Sequence, residues 1–141
     1  MNFTSEISQA RTVNPSNIAP QSYTTLIVVA HAPLASAFLA VVAHVHGALP
    51  SEIVAVDVPA NEPKSATQSR IATLIAAAPH GALVLSDMPG ATPHNCAAQV
   101  CNSVSLPLLA ETISPLSAPL LLRAVNYRHL SPTALVAKLS A

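Results

Sequence analysis

Apolar residues recur along the chain in two patterns: short unbroken runs, and longer stretches at helical spacing. The runs at 24–30 (TTLIVVA), 52–58 (EIVAVDV) and 82–86 (ALVLS) predict three strands. The third is continuously apolar, as strands buried on both faces of a parallel sheet tend to be. A helix is predicted over 34–46, with Leu34, Phe38, Val41, Val42 and Val45 on its buried face and Gly47 and Pro50 at its end. Asn61-Glu62-Pro63 opens a second helix, which runs to about Ala78 with Thr67, Ile71, Leu74, Ile75 and Ala78 as its buried stripe. A third runs from Pro93 to about Cys101.

Beyond the third helix a short fourth strand is expected near 102–106, with Pro107 ending it because proline is excluded from central strands. The remainder reads as helical: a segment after Pro107, another near 118–127, and a last one over 132–140 capped by Ser131-Pro132. The alternation predicts an α/β fold, a single-domain, doubly wound, mainly parallel four-stranded sheet with helices on both faces. Residues 1–23 are polar, rich in Ser, Thr, Asn and Gln, and are expected to form a flexible extension outside a domain spanning 24–141.

Composition narrows the function classes. A chain of 141 residues is long enough for one domain with a substantial core. Formal net charge is zero and no basic patch occurs, which argues against a nucleic-acid partner. No Asp, Glu, Lys or Arg lies between Thr12 and Ser51, but Pro20, His31, Pro33, His44, His46 and Pro50 interrupt that stretch. A spanning helix needs roughly 20 mostly apolar residues, so no transmembrane segment is expected. No secretory leader pattern is visible either. Cys96 and Cys101, five apart on a helix, point to different faces, so a reduced, cytoplasmic setting is the simpler expectation.

Candidate chemistry lies where strands end. The first strand ends on His31 and the third runs into Asp87, one of two aspartates in the chain. Carboxyl ends of parallel strands share one rim, where open α/β sheets place their ligands. A surface histidine and a turn-capping aspartate are the plainer readings. If Asp87 accepts from Nδ1–H of His31, the tautomer is set and Nε2 keeps an outward lone pair, which makes a nucleophile. Thr92 is expected to cap the third helix with Pro93 at its first position. Its hydroxyl, with the N–H groups of Gly90, Ala91 and Thr92, would suit phosphate oxygens. Asn95 is expected near the same rim, bonding across to the first loop. Asp57 ends the second strand and reads as a loop cap. His44 and His46 stand about 200° apart on a helix, so one metal cannot take both. No Gly-x-Ser-x-Gly elbow and no Gly-rich first turn occur, which argues against a serine hydrolase and a dinucleotide domain.

The segments LIVVAHAPL (26–34) and LVLSDMPGATPHN (83–95), followed by VSLPLL (104–109), resemble the IIA component of the mannose-type phosphoenolpyruvate-dependent sugar phosphotransferase system, over roughly 24–137. That resemblance implies that His31 takes a phosphoryl group from phospho-HPr and passes it to a IIB component, in sugar uptake or its regulation. It assigns Asp87 to orient the imidazole and the loop amides with Thr92 to bind phosphate, without metal or cofactor. A regulatory domain that binds partners according to its phosphorylation state, and the phosphoryl-donor subunit of dihydroxyacetone kinase, are the alternatives. The chain departs from the family at Ala32, where Gly is usual, at Pro89-Gly90-Ala91 and at His94, and the interval from Asn95 to Val104 looks shorter. It is expected to stop before a C-terminal strand that the family can use in dimerisation, which leaves a homodimer open.

Overall fold

The computed structural model describes residues 22–104 and 110–141. Four strands, β1 (Thr25–His31), β2 (Ile53–Val58), β3 (Ala82–Ser86) and β4 (Ala110–Ile113), form one parallel sheet in the order β2-β1-β3-β4. The helices are α1 (Leu34–His46), α2 (Lys64–Ala76), α3 (Thr92–Ser103), α4 (Ala118–Asn126) and α5 (Pro132–Ser140). The sheet is therefore doubly wound, as its alternation of strands and helices predicts.

Side-chain alternation along β1 separates two cores. Leu26, Val28 and Ala30 pack on one face with Val42 of α1, Leu121 and Val125 of α4, and Leu135 and Leu139 of α5. Ile27 and Val29 pack on the other with Ile71 and Ile75 of α2 and with Cys96, Ala97 and Val100 of α3. Successive residues of a strand point to opposite faces, so one apolar run holds both helix layers. The stripe expected on α2 is the one observed: Thr67, Ile71 and Ile75 are buried, and Leu74 packs partly. Ser117 and Ser131 cap α4 and α5 by accepting from Leu120 N–H (3.2 Å) and Ala134 N–H (3.3 Å).

Two expectations need correction. The fourth strand is not near 102–106. Asn102 and Ser103 complete the last turn of α3, where the Ser103 hydroxyl donates to Val100 O (2.9 Å), and 105–106 lie outside the described residues. The strand forms beyond Pro107, at 110–113, within a segment expected to be helical. Pairing with β3, Leu83 beside Glu111 and Leu85 beside Ile113, overrides the local reading. The buried face of α1 is also turned from the predicted one. Ala35 and Val42 are buried and Phe38 and Leu39 pack against them, whereas Leu34, Val41 and Val45 are 39%, 40% and 60% exposed. Packing on β1 selects the small Ala35 for close approach, and no charged residue on α1 marks an outward face.

The polar segment assigned to 1–23 lies outside the described residues up to 21. Its last residue, Tyr23, is part of the packed structure: the Arg128 guanidinium sits 4.5 Å from its ring centroid. Thr24 follows, buried, with its N–H on Arg128 O (2.8 Å) and its hydroxyl on Leu130 O (2.6 Å).

Candidate functional site

Strand order reverses at β1, with β2 on one side and β3 on the other. A crevice opens at such a switch point, outside the carboxyl ends of the strands. The β1–β3 ladder runs to Val29 beside Ser86, which brings His31 and Asp87 to the same rim. The two residues meet: His31 Nδ1 lies 2.6 Å from Asp87 Oδ2. The same carboxylate oxygen accepts the backbone N–H of His31 (3.0 Å), and Oδ1 accepts the N–H of Met88 (2.9 Å). The Asp87 side chain is 4% exposed and the imidazole 45%.

Burial pushes the Asp87 carboxyl up, but hydrogen bonds from the His31 backbone, the His31 ring and the Met88 backbone outweigh it and hold it below 3.8. An ionised carboxylate has no proton to give, so Nδ1 of His31 must be the donor. In the neutral ring Nε2 then carries the lone pair, and it has no hydrogen-bond partner among the described residues. A buried anion therefore holds a half-exposed imidazole through one ring nitrogen and leaves the other unengaged.

The loop after β3 is shaped by local chemistry. Met88 O accepts Ala91 N–H (3.2 Å), closing a turn with Pro89 second and Gly90 third. Gly90 has φ +82°, the left-handed region that the third position of a type II turn requires. Asn95 Nδ2 donates to Gly90 O (3.1 Å), and Asn95 N–H donates to Ala91 O (2.9 Å). Asn95 thus braces its own loop, not the first one. Ala91, not Thr92, is the N-cap of α3; Thr92 is the first helical residue and Pro93 the second. The Thr92 hydroxyl performs no capping and has no partner among the described residues. Of the three amides expected to face an anion, that of Ala91 is taken by the turn, while those of Gly90 and Thr92 have no acceptor there.

His31 and Thr92 line an open pocket of about 400 Å³ with Val58, Pro59, Glu62 and Lys64. Glu62 and Lys64, from the loop and first turn after β2, were not legible as site residues. The available signal was topological: β2 neighbours β1, so whatever follows it reaches the same rim. Asp57 stays out of the pocket chemistry. Its carboxylate caps α1, accepting the Ser36 N–H (3.1 Å) and the Ser36 hydroxyl. Beneath the loop, the buried Ser86 hydroxyl lies 2.9 Å from His94 Nδ1, a second contact that sequence spacing did not reveal. Among the described residues no group of three or more His, Cys, Asp or Glu gathers to hold a metal, and no helix is long and apolar enough to cross a membrane.

A family model described as "PTS system fructose IIA component" (EIIA-man) matches residues 25–139. No curated protein sequence matches the chain. Solved structures match its fold. The phosphotransferase system component EIIA from Streptococcus agalactiae has TM-score 0.76 and 21% identity, over 83% of this chain and 89% of that one. The mannose/sorbose specific IIA subunit from Enterococcus faecalis has TM-score 0.73 and 24% identity, over 84% and 87%. The PTS IIA protein associated with the fucose utilization operon from Streptococcus pneumoniae has TM-score 0.69 and 15% identity, over 86% and 92%.

Proposed function

The chain belongs to the mannose-type family of phosphotransferase-system IIA components, and from that premise we propose that it is a cytoplasmic phosphocarrier whose acceptor is His31. The observation that carries this reading is the Asp87–His31 pair, which leaves Nε2 unengaged on a residue that lines the pocket. The donor is the phosphohistidine of HPr and the recipient a IIB component, as in the family. We assign the phosphocarrier domain to residues 24–141.

The step needs little from the protein beyond placement and charge. The Nε2 lone pair of His31 attacks phosphorus. The P–N bond to the donor histidine breaks, and that nitrogen leaves with the bonding pair. His31 keeps its Nδ1 proton, so the ring becomes a phosphorylated imidazolium. Asp87, already ionised and already bonded to Nδ1–H, stabilises that positive charge without rearrangement. The Thr92 hydroxyl and the N–H groups of Gly90 and Thr92 supply donors for the phosphoryl oxygens at the start of α3. Passing the group to IIB reverses the same geometry.

The test is transfer of phosphate from phosphoenolpyruvate through enzyme I and HPr to this protein, read as an acid-labile single phosphate. Labelling that survives His31→Ala would overturn the assignment.

A further inference from the structure

We propose that Lys64 supplies the cation that holds the phosphoryl oxygens on His31. The inference rests on the phosphocarrier reading and adds to it a residue that the β1 and β3 rims do not contain.

The site has an electrostatic deficit. A phosphoryl group brings about two negative charges at neutral pH. It would be placed next to Asp87, whose carboxylate is ionised, and in a pocket that Glu62 also lines. The imidazolium offsets one of these charges. Lys64 is the lysine or arginine that lines the pocket with His31 and Thr92.

Its ammonium is uncommitted. The nearby carboxylate, Glu62, is held by Arg70 Nη1 (2.8 Å) and by the Thr67 hydroxyl (2.9 Å). Arg70 is itself held, because the same Nη1 donates to Asp57 O (3.0 Å). Among the described residues Lys64 makes no ion pair. The network thus neutralises Glu62 with a different cation and leaves Lys64 exposed in the pocket that His31 also lines.

Lys64 also stands where a cation is unfavourable for the helix. It is the first residue of α2, a helix of 13 residues with no acidic residue in its first turn. The amino end of a helix carries partial positive charge, which a lysine there adds to and does not offset. An arriving phosphoryl group reverses this balance, since ammonium and helix end would then both face an anion.

The experiment uses the full chain with Lys64→Gln and Lys64→Arg. Inorganic phosphate is titrated into each, following the His31 and Thr92 amides by NMR. Transfer from phospho-HPr is then measured on the same samples. Lys64→Gln should weaken phosphate binding and lower the apparent kcat/KM of transfer, each by roughly five- to tenfold at low salt. Lys64→Arg should restore both to within about twofold, because it keeps the charge. The gap between wild type and Lys64→Gln should narrow as salt rises. The melting temperature of Lys64→Gln should be unchanged or higher, which separates lost charge from lost fold. Equal phosphate binding and equal transfer by Lys64→Gln and wild type would overturn the proposal. If phosphate binding depends on Lys64 but wild type takes no phosphate from phospho-HPr, the anion subsite stands and the phosphocarrier reading fails.

Discussion

The carboxylate of Asp87 binds His31 twice, through the ring Nδ1 at 2.6 Å and through the backbone N–H at 3.0 Å. One oxygen makes both bonds, so the side chain and the strand end are held to the same point. The imidazole has little freedom to swing or to change tautomer, although nearly half of it faces solvent. This is the property a phosphoryl acceptor needs: an open face on a held ring.

Asp87→Asn tests that relationship. The amide can still accept, but it brings no charge to the phosphorylated imidazolium. Transfer should fall on the order of 100-fold. Stopped-flow transfer from phospho-HPr checks this, and unchanged rates would remove Asp87 from the step.

The same pair predicts a pH dependence of stability. The folded-state carboxyl is held below its ordinary 3.8, so its stabilising contribution is present above that value and is lost as pH falls through the lower folded-state value. Wild type should therefore melt above Asp87→Asn near pH 7, with the difference closing in the acid range below about pH 4. A gap that widens on acidification would contradict the assigned direction.

Gly90→Ala isolates the backbone of the loop after β3. An added Cβ at Gly90 would meet nothing within 4 Å, so the cost is conformational, from φ +82°. Roughly 1 kcal/mol of stability should be lost. Transfer should slow as well, because the turn aims the Gly90 and Thr92 amides. Chemical denaturation and transfer kinetics on one sample separate the two effects. No stability loss would mean that the turn is not held in the left-handed region.

The orientation of α1 gives a contrast between neighbouring valines. Val42 is 1% exposed and Val45 60%. Val42→Ala should cost about 2 kcal/mol, while Val45→Ala should stay within about 0.5 kcal/mol. Urea denaturation of the two variants reads the difference directly, and equal losses would mean that the helix presents the face its apolar pattern suggests.

What could be read from the chain follows from where information is local. β1 and β3 are unbroken apolar runs that end on His31 and next to Asp87, so both the sheet centre and the contact between these two residues were legible. The bounds of α1 were legible too, because Pro33 and Gly47 punctuate it. Its buried face was not, because Leu34, Val41 and Val45 are as apolar as the residues that pack. The fourth strand was misplaced because an apolar segment before and around Pro107 looks more strand-like than the AETI that pairs with β3. Thr92 resembles a cap by type, yet Ala91 holds that position and frees the hydroxyl. Lys64 and Glu62 reach the site only because β2 lies beside β1, a tertiary fact with no short-range signature.

A phosphocarrier role requires that His31 accept a phosphoryl group. Intact-mass spectrometry of wild type and His31→Ala, each with phosphoenolpyruvate, enzyme I and HPr, tests this. One acid-labile phosphate is expected on wild type and none on a folded His31→Ala. A folded wild type that stays unlabelled beside a working IIA control would contradict it, as would a phosphate that persists without His31.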